Sequence, residues 1–107
     1  MNTQTQDDPL IAFAGIVWSS PQPGLRFKEA MRGGRRIRQI EMDESFVEAD
    51  WCRTGHVGFV IEGTLAIDFD GHVVEFKAGD ALCIAPGEAS RHKARAVGEK
   101  VLLFVVD

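Results

Sequence analysis

Cysteine is scarce in this chain. Two in 107 residues cannot build the disulfide framework that holds small secreted domains together, so Cys52 and Cys83 are expected to be free thiols or metal ligands in a reducing compartment, and the protein to be cytoplasmic. Long apolar runs are missing too. The longest, Leu10 to Trp18, has nine residues; it is too short to cross a bilayer, and it starts too far inside a polar, acidic leader to serve as a signal peptide. No membrane partner is therefore expected. Nor is there a surplus of positive charge: 12 Lys and Arg against 16 Asp and Glu leave a net charge of −4, which disfavours general binding to nucleic-acid phosphates. No long segment carries the 3.6-residue period of an amphipathic helix, and no internal repeat, interdomain linker or low-complexity tract is visible.

What is present is the composition of one soluble globular unit. Apolar residues at 45% and charged ones at 26% are ordinary for such a domain, and the length suffices to bury a core without staples. From about Phe27 onward, short β-branched and aromatic segments are cut by glycine-containing turns every ~8–12 residues, the pattern of an all-β sandwich or barrel. Gly63 to Phe69 alternates, with Leu65, Ile67 and Phe69 on one face; Asp70-Gly71 is a strong hairpin signal, and His72 to Phe76 returns. Lys77 to Asp80 reads as a further turn, and Ala81 to Gly87 as a strand ended by Pro86 and Gly87. Ser90 to Ala96 alternates, Val97-Gly98-Glu99 reads as a turn, and Lys100 to Val106 as a last, mostly buried strand. Gly33-Gly34 joins another plausible hairpin. Residues 1–20 are expected to be an N-terminal segment, partly flexible or laid as a strand on the barrel or a partner subunit, and residues 21–107 the barrel itself.

One stretch concentrates chemistry: "ADWCRTGHVGFVIEG", residues 49 to 63. In a strand Asp50 and Cys52 would point the same way, roughly 6.6–6.8 Å apart along the axis. Arg53-Thr54-Gly55 permits a bend, after which His56 opens the next strand, and Gly58 beside it leaves space on its face. Val57, Phe59 and Ile61 point the other way. Far downstream His92 shares a face with Ala94 and Ala96. Carboxylate, thiolate and imidazole are the common ligands of zinc and the later first-row metals, so Asp50, Cys52, His56 and His92 form a candidate metal set, with Glu48 or His92 as a base if not engaged. Each also has a structural explanation: Asp50 as a turn cap, the cysteines (Cys83 above all) as small buried hydrophobes, and His92 as a hydrogen-bonded strand residue. His72, at a hairpin tip, is expected to face solvent. The arginines of Met31 to Arg38 either keep a strand edge soluble or supply one of Arg35, Arg36 or Arg38 to an anionic ligand.

On these residues the chain resembles the cupin superfamily, small jelly-roll barrels marked by the motifs G-x5-H-x-H-x3-4-E-x6-G and G-x5-P-x-G-x2-H-x3-N. Asp50 and Cys52 stand at the histidine positions of the first motif, His56 at its glutamate and Gly63 at its closing glycine, while Glu44 replaces the opening glycine. The second begins at Gly79-Asp80, with Pro86 displaced by one place, Gly87 matching, and Ser90 at the histidine position two residues before His92. A bulge after Gly87 would bring His92 into register. The tryptophan-cysteine pair also resembles a minor group of cupins named for an Asp-His-Cys-Trp motif. The resemblance implies a single-domain double-stranded β-helix that binds a divalent metal and a small organic ligand, and commonly a homodimer. Thiolate and carboxylate donors favour zinc, with nickel or iron next. Three functions follow: a metal-dependent lyase, isomerase or oxygenase; a non-catalytic ligand-binding or sensor barrel; or a structural barrel.

Overall fold

The computed structural model describes residues 8–107; the leader whose order the sequence leaves most in question, residues 1–7, lies outside them. Among the described residues the chain forms seven strands, two 3-10 turns and no α-helix. In chain order the strands are β1 (Ser19–Gln22), β2 (Leu25–Arg32), β3 (Arg35–Asp43), β4 (His56–Asp68), β5 (Val73–Lys77), β6 (Ala81–Ile84) and β7 (Lys93–Val106). All pairings are antiparallel, in the order β1-β2-β3-β7-β4-β5 with β6 also on β4. Curled on itself, this sheet is the expected all-β jelly roll. Gly33 and Gly34, with φ of +56° and +75°, close the β2–β3 hairpin with the two left-handed residues that a two-residue turn of matching twist requires. Asp70, at φ +56°, serves the β4–β5 connection in the same way.

The long pair β4–β7 gives the barrel its shape. The first half of β4 lies between β6 and the end of β7, and its second half between β5 and the start of β7. Between the pairs Glu62↔Leu102 and Thr64↔Val97, β4 advances two residues while β7 advances five. The turn expected at Val97-Gly98-Glu99 is therefore a bulge inside one continuous strand. Gly98 on β7 and Gly63 on β4 both sit at φ +81°, and the sheet bends there, as bulged strands do. The core fills the bend: Val60, Leu65, Val101, Leu103 and Val105 are all buried, together with Ile40 and Met42 of β3.

Two local expectations are corrected. Cys83 is exposed, not a buried hydrophobe, because Leu82 and Ile84 on either side of it point into the core and strand alternation turns it outward. The space beside Gly58 is not free either. A Cβ there would stand 1.9 Å from the Phe104 carbonyl oxygen, so this glycine allows the β7 backbone to approach.

Residues 8–18 lie along the outside of the chain's own barrel. Arg32 donates to the carbonyls of Asp8 and Leu10, Lys28 donates to that of Phe13, and the Trp18 ring sits under Arg26 and Lys28 at 4.2 and 4.9 Å. The boundary expected at residue 20 falls within β1, which pairs with β2.

Candidate metal centre

Cys52 and His92 are joined before their side chains are considered. The Cys52 N–H donates to the His92 carbonyl at 2.8 Å, and the His92 N–H donates to the Cys52 carbonyl at 3.0 Å. His92 reaches this position through a 3-10 turn, Glu88–Ser90, which follows Gly87 at φ +116°. The turn, not a bulge, sets the register of the residues after Gly87. The loop carrying Cys52 is pinned further: the Gly87 N–H donates to the Arg53 carbonyl, and Gly55 lies so close to Pro86 that a Cβ would meet its Cδ at 2.8 Å. Above them Arg53 pairs with Glu88, and Arg91 with both Glu88 and Asp70, tying the loop, the 3-10 turn and the hairpin tip together.

Beneath this cover His56 opens β4. One ligand atom from each of Cys52, His56 and His92 lies within 4.8 Å of the others, with Cys52 Sγ 3.7 Å from His56 Nε2. In a tetrahedral zinc site, metal bonds of 2.0–2.3 Å put neighbouring donors about 3.3–3.8 Å apart, so small side-chain rotations bring the three onto one ion. On a four-coordinate ion three such donors would leave one position open, as in catalytic rather than structural zinc sites. The protons also suit a metal. His92 Nδ1 is 3.0 Å from the Ser90 carbonyl, which can only accept, so Nδ1 is the donor, and in the neutral tautomer this selects, Nε2 carries the lone pair. Burial pushes the His56 pKa below its usual value against the pull of Asp107, and His92, Arg38 and Arg36 lower it further. The neutral imidazole is the form that binds metal.

Asp50 stands apart from this group. It is exposed, in a bend, and residues 47–51 are not strand, so the period of two that would aim it alongside Cys52 does not apply. Glu48 is half-buried, its Oε1 accepting from the Ala94 N–H at 2.8 Å. Burial raises its pKa, outweighing the lowering effects of that hydrogen bond, His92 and Lys93. Ser90 takes part through its backbone carbonyl alone among the contacts described. His72 is exposed and stacks on Phe69.

The donors open onto a cavity of about 220 Å³, the space of roughly seven liquid waters. Its apolar wall includes Ile40, Leu65, Leu82 and Leu103. Its polar wall includes Arg36, Arg38 and Asp107, which the spacing of the Asp50–His56 stretch does not reveal. On β3 the alternation Arg36, Arg38, Ile40, Met42 brings all four to the cavity, while Arg35 is exposed. Asp107 Oδ1 lies 3.8 Å from His56 Nδ1 and 3.3 Å from Arg38 Nη2. Two buried nitrogens here, His56 Nδ1 and Arg38 Nε, have no hydrogen-bond partner.

The cupin domain model matches residues 52–106, just over half of the chain, and the chain belongs to that family. Among solved structures, KdgF from Halomonas sp. is 22% identical with a TM-score of 0.69, covering 84% of this chain and 83% of that one. A cupin-2 domain protein from Shewanella frigidimarina is 26% identical (TM-score 0.59, covering 73% and 74%). An RmlC-like cupin from the same organism is 16% identical with a TM-score of 0.71, covering 92% and 88%. No curated protein matches the chain in sequence. Among the described residues no helix is long and apolar enough to cross a membrane.

Proposed function

We propose that this cupin holds a divalent metal, zinc before nickel or iron, on Cys52, His56 and His92, and takes a small organic ligand at the open position as a metal-dependent lyase or isomerase. The observation that carries this reading is the convergence of the three donor atoms within 4.8 Å on a cavity with one coordination position to spare. A divalent ion bound there supplies a Lewis acid that polarises a ligand oxygen. The chain supplies the rest. Ile40, Leu65, Leu82 and Leu103 exclude water, and Glu48, whose pKa burial raises above its usual value, lies close enough to His92 to feel its charge and serves to accept or return a proton. A thiolate donor and the lack of a two-histidine, one-carboxylate triad favour this chemistry over oxygen activation. Asp50, in its exposed bend, is left as a turn residue.

The test is metal analysis of untagged protein purified without chelator. One equivalent of zinc, nickel or iron, lost in Cys52→Ala, supports the reading; a metal-free wild type that takes up none of these ions on reconstitution refutes it. Metal retained with no turnover of any carbonyl substrate would favour a non-catalytic sensor barrel. We place the protein in the cytoplasm on its two unpaired cysteines, and as a homodimer on the outward row Val57, Phe59 and Ile61. A monomer by light scattering at micromolar concentration would overturn the dimer.

A further inference from the structure

We propose that the cavity takes its ligand as a small organic carboxylate, gripped by the Arg38 guanidinium beside the metal; this deepens the metal-site reading and rests on it. Arg38 is a charge held out of water, its side chain 13% exposed. A buried guanidinium needs acceptors for five N–H donors. It has few. Nη2 makes two long contacts to the Asp107 carboxylate, at 3.3 and 3.4 Å, and Nε has no partner. The neighbouring Arg36 is otherwise engaged, its Nε donating to Glu29 and its Nη1 3.8 Å from Asp107. Asp107 is itself shared with His56, so it cannot turn wholly toward Arg38 without leaving the imidazole. One planar fork is thus under-used in the wall of a cavity of about 220 Å³.

The charges around the cavity say which acceptor fits. Arg36 is paired with Glu29, which leaves Arg38, in long contact with Asp107, as the under-compensated cation of the cavity. A carboxylate supplies one negative charge, and its two oxygens match the guanidinium fork. A phosphate, at about −1.5 to −2, brings more negative charge against Asp107 and Glu48. A neutral polyol offers no charge-assisted hydrogen bond.

Lactate and its uncharged isostere lactamide separate these cases, titrated by NMR into zinc-loaded and metal-free protein, wild type and Arg38→Met. Lactate is expected to bind the zinc-loaded wild type at least about tenfold tighter than lactamide, the share of one charge-assisted hydrogen-bonded pair. In Arg38→Met the preference should fall about tenfold in the zinc-loaded protein and to about onefold in the metal-free protein, with zinc content unchanged, and Arg38→Lys should keep part of it. Equal binding of the two probes by the wild type, or a preference undiminished in Arg38→Met, overturns the proposal. If Arg38→Met fails to fold, the wild-type ratio and Arg38→Lys decide. Should the protein take up no zinc, the metal reading falls by itself, and the metal-free arm judges Arg38: an Arg38-dependent preference for lactate supports the carboxylate subsite, and its absence overturns it.

Discussion

Gly63 stands at the corner where β4 and β7 bend together, and the reasoning about the fold can be tested on it. In Gly63→Ala two costs add. A left-handed backbone, here at φ +81°, costs an alanine about 1–2 kcal/mol. Its Cβ would also sit 2.3 Å from the Lys100 carbonyl oxygen and 3.1 Å from Val101 Cα, both backbone atoms that cannot rotate away. Relief requires β4 and β7 to part locally, at the loss of one or two ladder hydrogen bonds worth about 1 kcal/mol each. The total is about 2–4 kcal/mol.

Gly33→Ala is the matched control. Gly33 also has a left-handed backbone, φ +56°, but nothing lies within 4 Å of where its Cβ would be. The backbone penalty and the unfolded-state entropy change of Gly→Ala are common to both variants and largely cancel in their difference. Urea unfolding followed by circular dichroism should therefore show Gly63→Ala less stable than Gly33→Ala by about 1–2 kcal/mol. Equal stabilities, within about 0.5 kcal/mol, would mean that β7 does not crowd the corner and that the strand pairing given for it is wrong.

Three further outcomes are expected. Val101→Ala, at a side chain with no exposure and away from the cavity, should cost about 2–3 kcal/mol in the same unfolding assay and leave metal affinity unchanged in a chelator competition. Asp107→Ala, which removes the carboxylate facing His56 Nδ1, should weaken zinc about 10- to 100-fold in that competition; unaltered affinity would show that Asp107 does not orient the imidazole. In metal-free protein Glu48, whose pKa is raised from 4.5 by burial, binds a proton more tightly folded than unfolded. Its contribution is fully present below 4.5 and is lost as pH rises through the raised value, so the wild type should gain stability on Glu48→Gln as pH falls toward 4.5. His56 has the opposite sign: its pKa is lowered from 6.5, so its contribution is present above 6.5 and fades as pH falls through the lowered value. Unfolding curves of Glu48→Gln and His56→Gln against wild type across pH 4 to 8 check both slopes.

Much of the fold was legible because its signals are local. Asp70-Gly71, Gly33-Gly34 and the alternation around Leu65 and Ile67 each depend on a few adjacent residues, and each lies where it was expected. Gly98 was ambiguous for a physical reason. A glycine between Val97 and Glu99 has one appearance whether the chain reverses or merely bulges, and only the register with β4 separates the two. Cys83 is misleading because an apolar strand reads as buried on both sides, whereas β6 faces the core with Leu82 and Ile84 alone.

The candidate site divides along the same line. His56 and His92 could be singled out because each begins or precedes a strand whose alternation tells where it points. Asp50 could not be placed, since alternation says nothing about a chain that bends. Arg38 and Asp107 meet only across the β3–β7 ladder, where the Arg36 N–H donates to the Asp107 carbonyl and the Asp107 N–H donates back to the Arg36 carbonyl; no spacing in the sequence marks that encounter. Yet half of it was available: once β3 is granted, Ile40 and Met42 as core residues oblige Arg38 and Arg36 to face inward with them. Two cations on the core face of a strand contradict the rule for burying charge. Such a contradiction belongs where the interior is waiting for something of opposite sign, and in this barrel it falls beside the three converging donors.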